Sequence, residues 1–364
     1  MRGLKGKALE RAWQPVEAAG PLANSGMGKL FRYARVFWAW RMRGSDTLAY
    51  LPEDISIELT NTCNFRCSFC PQSDPKHFEV VSRSALDVEG ARVLLGKLRS
   101  GGVRTDVLHW TLDGEPFANR QIGEICELAI EFGFRNFIFS TNGYFCTEDR
   151  LNELPRGDGD VRYQLCIDFC ASQALFEKHR GTRSSWGKVK ENIWRLMADD
   201  SQPHIALQVT DISSFEVITS QSHVDGLAAL RALLGPESDR LKVSGRTFHN
   251  ATGHVPGILE SKQAAGSKYN LCPYPWTSMV IASNGDVVAC CRDLQHKTVL
   301  GNLFEQELAE IWNGERYAYL RRALVEQAPE RANACRNCDL PFDAGKFSLT
   351  HLVRTGVHRL GVFR

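Results

Sequence analysis

Three cysteines share one short segment, Cys63-x3-Cys67-x2-Cys70, directly after Ile55–Leu59, whose apolar residues alternate with the period of a strand. A strand end that carries three thiols on one loop restricts the fold more than any other feature of the chain. Five more cysteines, at 272, 290, 291, 335 and 338, form a second group. Disulfide frameworks belong mainly to small secreted chains. This chain has 364 residues, and its opening Met1-Arg2-Gly3-Leu4-Lys5 lacks the apolar core of a secretory signal. The cysteines are therefore expected in a reducing, cytoplasmic setting, as metal ligands.

The length fits one large domain with a smaller attachment. Hydrophobic residues at 43% and charged residues at 24% supply a globular core. Lys+Arg 44 against Asp+Glu 42 leaves a net charge of +2, so bulk charge gives no reason to expect nucleic acid. No apolar run approaches the roughly 18 residues of a membrane span.

Residues 1–50 read as an extension. Its segment 28–43 mixes five basic residues with five aromatics and has no acidic residue. Such a helix either packs on the catalytic domain with its arginines solvated, the reading we prefer, or makes peripheral contact with an anionic membrane. From 51 to 250, strand patterns at 55–59, 107–112, 136–140, 162–168, 205–210 and 240–244 alternate with helical patterns near 87–100, 120–132, 187–199 and 224–234. Six such repeats predict an α/β fold with a parallel sheet and function at the strands' carboxyl ends. Residues 251–271 read as a linker. Ser283-Asn284-Gly285-Asp286 predicts a hairpin between 279–282 and 287–290. Residues 305–325 read as a helix, and 346–364 as a basic tail.

Three thiolates on one loop can hold three corners of a 4Fe–4S cubane, which would leave the fourth iron open for a small molecule. This spacing after a strand resembles the signature of radical S-adenosylmethionine enzymes, including the aromatic Phe69 before the third cysteine. The resemblance implies a partial (β/α)6 TIM-like barrel in which Cys63, Cys67 and Cys70 bind the cluster. Asp113-Gly114-Glu115-Pro116 resembles the family's Gly-Gly-Glu-Pro segment, with Asp113 in place of the first glycine. Its backbone and glutamate would hold the methionine ammonium. Thr141-Asn142-Gly143 resembles the segment near the cofactor's ribose or carboxylate. Asp168, followed by His179-Arg180-Gly181, would touch substrate or ribose, or else cap the next helix. Phe69, Asp113, Gly114, Glu115, Thr141, Asn142 and Asp168 are thus the expected cofactor-binding residues.

The second group resembles a SPASM domain in its shortened, single-cluster "twitch" form, over 251–345. Cys272, Cys290, Cys335 and Cys338 would complete one auxiliary 4Fe–4S cluster. Cys290 is preferred to Cys291 because the family spacing is Gly-x4-Cys from Gly285. A full domain would place a further cysteine at Ala344. A zinc site is the competing reading of each group, less well matched at the first, where no fourth Cys or His lies close by.

The resemblance implies an oxidoreductase or epimerase. Reductive cleavage of S-adenosylmethionine would be followed by hydrogen abstraction from a polar substrate, such as a sugar or cyclitol carbon, with the auxiliary cluster available as electron acceptor. A one-electron reductant such as flavodoxin or ferredoxin would be the partner. Epimerisation needs a hydrogen donor. Cys126, Cys146, Cys166, Cys170 and Cys291 are left over, and Cys166 shares a strand face with Asp168. Arg246 or His249 would bind substrate hydroxyls or phosphate or act as base, or else the segment is a polar loop with a solvated histidine. Cys166, Asp168 and His249 are the catalytic candidates. Two other readings compete: a peptide-modifying maturase and a non-catalytic zinc-binding interaction protein.

Overall fold

The computed structural model describes residues 34–213, 215, 222–246 and 248–342. Residues 1–33 of the extension and the tail 346–364 lie outside the described residues. Six parallel strands run in order: β1 (Asp54–Ile57), β2 (Val107–Trp110), β3 (Asn136–Thr141), β4 (Arg162–Phe169), β5 (Ile205–Asp211) and β6 (Leu241–Gly245). The connections include α1 (Val88–Ser100), α2 (Ile122–Glu131), α3 (Glu148–Asn152), α4 (Gln173–Arg180), α5 (Trp186–Ala198) and α6 (Ser222–Leu234). Each strand pairs with its sequence neighbour, as repeated βα units dictate, and the result is the expected partial barrel.

Helix α1 shows why the units close. Asp87 caps it by accepting the Gly90 N–H at 2.7 Å. Ala91, Leu94, Leu95 and Leu98 then fall on one buried stripe. Strand β4 buries Tyr163, Leu165, Ile167 and Phe169 on one side, where Phe169 meets Phe176 of α4 and Trp186 of α5. Gln164, Cys166 and Asp168 occupy its other, half-buried face.

The C-terminal region adds α7 (Ile258–Ala264), β7 (Ser278–Ile281), β8 (Asp286–Val288), β9 (Val299–Asn302), α8 (Leu308–Trp312) and α9 (Glu315–Val325). The predicted hairpin is β7–β8, turned at Gly285. Strand β7 also pairs in parallel with β1, so barrel and C-terminal strands form one nine-stranded sheet, β6-β5-β4-β3-β2-β1-β7-β8-β9.

Three expectations change. Residues 251–271 are no free linker: they contain α7, whose Lys262 is ion-paired with buried Asp339, and Asn250 donates its N–H to Asp339 at 3.0 Å. The single helix at 305–325 is two, because Asn313 satisfies both backbone groups of Leu48 and a side chain at Gly314 would strike the Glu310 carbonyl. The described part of the extension packs on the C-terminal helices. Trp312 donates to the Tyr50 carbonyl, Trp276 to that of Ser45 and Arg321 to that of Asp46. Val36 and Trp40 face inward, while Trp38 and Met42 are 48% and 58% exposed. Among the described residues, no helix is long and apolar enough to cross a membrane.

Candidate functional site

The cysteine loop follows β1 and is clamped from below. Asn119 donates to the carbonyls of Leu59 and Leu86 at 2.7 and 2.8 Å. Helix α4 holds the other flank: Arg66 and Ser68 donate backbone N–H groups to the carbonyls of Arg180 and His179. Gly181, at φ +59°, ends α4 so close to the loop that a Cβ would lie 2.0 Å from the Arg66 carbonyl oxygen. Ser172, not Asp168, caps α4.

The strand-end turn Asp113–Glu115 presses on the same loop. Gly114 has φ +73°, and a Cβ there would lie 2.1 Å from the Thr60 carbonyl oxygen. The Asp113 carboxylate accepts from Gln72 at 2.7 Å and meets His77 at 2.8 Å, all three buried. Glu115 ties two motifs together: its carboxylate accepts from the Thr141 hydroxyl at 2.6 Å and the Asn142 N–H at 2.7 Å. Burial pushes the Glu115 carboxyl up despite these bonds. Asn142 in turn donates to Asn64 at 2.8 Å and lies 3.7 Å from the Cys63 sulfur.

Cys63, Cys67 and Cys70 are brought together. Burial pushes the Cys63 thiol up to about 12, with the neighbouring Glu115 and Cys67 charges adding to the shift. Cys70 rises for the same first reason, with Asp113, Cys67 and Cys63 as negative neighbours. Arg180 is a cation facing both Cys63 and Cys67, and Arg246 also faces Cys67. Above the loop, Asp168 pairs with Arg246 and, at 3.5 Å, with Arg180. Phe69 packs on Phe215 and Phe248, and both arginines lie over its ring.

The second group also converges. The Cys290 thiol is raised by burial and then by Cys291, Cys338, Cys272 and Cys335. Burial raises the Cys291 thiol as well, opposed by the neighbouring Arg292 and a hydrogen bond with Tyr274. Burial raises Cys272 to about 12 and Cys338 to about 11. Buried thiols that repel one another when ionised are the donor sets an iron–sulfur core neutralises.

Of the leftover cysteines, Cys126, Cys146 and Cys170 are buried. Cys166 is half-buried beside Gln164 and Gln208, and burial pushes it up to about 11. His249 accepts the Ala251 N–H on its Nδ1 at 3.1 Å. The sequence reading missed Glu58, Gln72, His77 and Asn119. Glu58 had one signal, a charge at a polar position of the alternating strand pattern Ile55–Leu59.

Residues 57–198 match the radical SAM superfamily, and residues 272–339 match the SPASM iron–sulfur cluster-binding domain. The chain belongs to the radical SAM superfamily and carries a C-terminal SPASM domain. It is a radical SAM enzyme, and its cofactors are S-adenosylmethionine, a 4Fe–4S cluster and an auxiliary iron–sulfur cluster. It is 22% identical over 286 residues to the S-adenosyl-L-methionine-dependent 2-deoxy-scyllo-inosamine dehydrogenase of Niallia circulans, covering 78% of this chain and 92% of that protein. It is 23% identical over 294 residues to the sporulation killing factor maturation protein SkfB of Bacillus subtilis strain 168, covering 75% and 68%. Among solved structures, BtrN in complex with AdoMet and 2-DOIA aligns over 80% of this chain and 94% of that one, with TM-score 0.51 and 19% identity. Native anSMEcpe with bound AdoMet aligns over 84% and 98%, with TM-score 0.52 and 12% identity. At these identities the structural likeness concerns the fold.

Proposed function

We propose that this radical SAM enzyme oxidises a carbon of a polar small molecule, of the sugar or cyclitol class. The observation that carries the reading is the inner face of the sheet. Ser140, Cys166 and Gln208 are register neighbours on β3, β4 and β5, and Asp168, Thr210 and Ser244 form the next row. These side chains are half-buried or exposed, unlike the apolar set behind them. A lumen of hydroxyls, amides and one carboxylate suits a hydroxylated substrate. The similarity to a cyclitol dehydrogenase over nearly its whole length supports the same class.

Cys63, Cys67 and Cys70 would hold the catalytic cluster, and Cys272, Cys290, Cys335 and Cys338 a single auxiliary one. When bound, the catalytic cluster supplies the electron that cleaves S-adenosylmethionine, giving the radical that takes hydrogen from substrate. The backbone of Asp113–Glu115 would accept the methionine ammonium, with Glu115 and Asn142 fixing the turn against the cysteine loop. Phe69 would flank the cofactor. Asp168, held between Arg180 and Arg246, would orient a substrate hydroxyl. Cys166 would face the substrate as a protonated thiol, the state needed of a hydrogen donor if the outcome is epimerisation. A flavodoxin or ferredoxin would deliver the electron.

A second reading, peptide modification, draws on the similarity to the maturation protein SkfB. Anaerobically reconstituted enzyme incubated with reductant, S-adenosylmethionine and a panel of sugars and aminocyclitols tests both. The reading expects 5′-deoxyadenosine and a product lacking two hydrogens. Turnover stimulated by peptides and by no sugar or cyclitol would replace it with the second.

A further inference from the structure

Glu58 follows β1 and is 1% exposed, yet among the described residues no lysine or arginine shares in its hydrogen bonds. Its three carboxylate contacts are all donors, and they come from two distant parts of the chain. Oε1 accepts the Asp113 N–H at 3.1 Å. Oε2 accepts the Ser283 N–H at 3.1 Å and the Ser283 hydroxyl at 2.7 Å. Its own N–H donates to the Ile281 carbonyl at 2.9 Å. One carboxylate thus joins the turn Asp113–Glu115 to the tip of the β7–β8 hairpin, and β8 runs on through Ala289 to Cys290. A carboxylate fits because it accepts on both oxygens; the isosteric amide would set an N–H against one of these donors. Ser283 is buried too, with Ser84 Oγ 2.6 Å from its hydroxyl.

We propose that Glu58 and Ser283 are positioning residues that couple S-adenosylmethionine binding at Asp113–Glu115 to the auxiliary-cluster domain. The inference rests on the assignment of that turn to the cofactor. The turn is fixed on its other sides by Gln72 and His77 from the cysteine-loop segment, so the hairpin supplies a separate anchor. Loosening that anchor lets the turn shift against the cysteine loop, although Ser283 itself touches no cofactor. Coupling is reciprocal: what the hairpin contributes to cofactor affinity, the cofactor returns as order in the hairpin.

The test measures S-adenosylmethionine affinity of the reconstituted holoenzyme by equilibrium dialysis, together with hydrogen exchange of segment 282–288. Ser283→Ala is expected to weaken binding about 5- to 20-fold at unchanged iron content, the range of ordinary site-to-site coupling. Ser283→Thr, which keeps the hydroxyl, restores affinity, and Glu58→Gln weakens it at least as much as Ser283→Ala. In the wild type, cofactor slows exchange in the hairpin. Ser283→Ala binding within about twofold of wild type, with hairpin exchange indifferent to cofactor, overturns the coupling. Wild-type protein that carries iron and binds no S-adenosylmethionine overturns instead the assignment on which it rests. Should Glu58→Gln fail to fold, the serine pair decides alone.

Discussion

The two cysteine sets are built in opposite ways. Cys63, Cys67 and Cys70 come from one loop, and that loop and the turn beside it are braced by the buried polar side chains of Asn119, Glu115, Asp113, His77, Gln72 and Arg180, beside the rings of Phe65 and Phe69. Cys272, Cys290, Cys335 and Cys338 come from distant segments of a region whose buried core includes Trp276, Met279, Ile311, Trp312, Tyr317 and Leu320. A local ligand set needs little scaffold to form but much to aim a cofactor. A dispersed set needs a core merely to exist. Substitutions around the first should therefore change cofactor binding, and those around the second should change stability.

The largest effect expected is at the first set. Cys67→Ala should abolish 5′-deoxyadenosine formation while leaving the fold, read by circular dichroism, in place. Any retained cleavage activity would break the assignment. Next comes Gly114→Ala. Its Cβ would lie 2.1 Å from the Thr60 carbonyl oxygen at a left-handed φ, so loss of S-adenosylmethionine binding is expected with about 3 kcal/mol of destabilisation in a denaturant titration. The opposite pattern belongs to Arg321. It is fully buried, lies over Trp312 and Tyr317, and donates to the carbonyls of Pro275 and Asp46. Arg321→Ala should cost about 3 kcal/mol by stranding both carbonyls and opening a cavity, with cofactor affinity of the folded protein unchanged. Affinity and stability falling together would erase the distinction between the regions. The smallest effect is at Cys291: Cys291→Ala should keep its full iron content, whereas Cys290→Ala should lose auxiliary iron.

The same contrast explains what the sequence made legible. The first set could be read because its ligands are neighbours in the chain, and the six βα repeats because the strands and most of their helices carry their own apolar period. Helix α4 escaped because two of its three buried residues, His179 and Arg180, are polar. The cradle of Glu58, Gln72, His77 and Asn119 escaped because each partner lies far along the chain, as Ser283 does from Glu58. The hairpin was visible from its turn residues, but its pairing with β1 was not, since strand order is not written in local periodicity. The role of Asp113 was half visible. Its place in the motif could be read, while the engagement of its carboxylate by Gln72 and His77 required the fold.

Iron and sulfide per chain after anaerobic reconstitution test the central claim most directly, measured for wild type, Cys67→Ala and Cys335→Ala. Two cubanes predict about eight of each in the wild type and about four in either variant. About four in the wild type, with zinc bound at the remaining cysteines, would contradict the account and leave the proposed oxidation without its auxiliary electron acceptor.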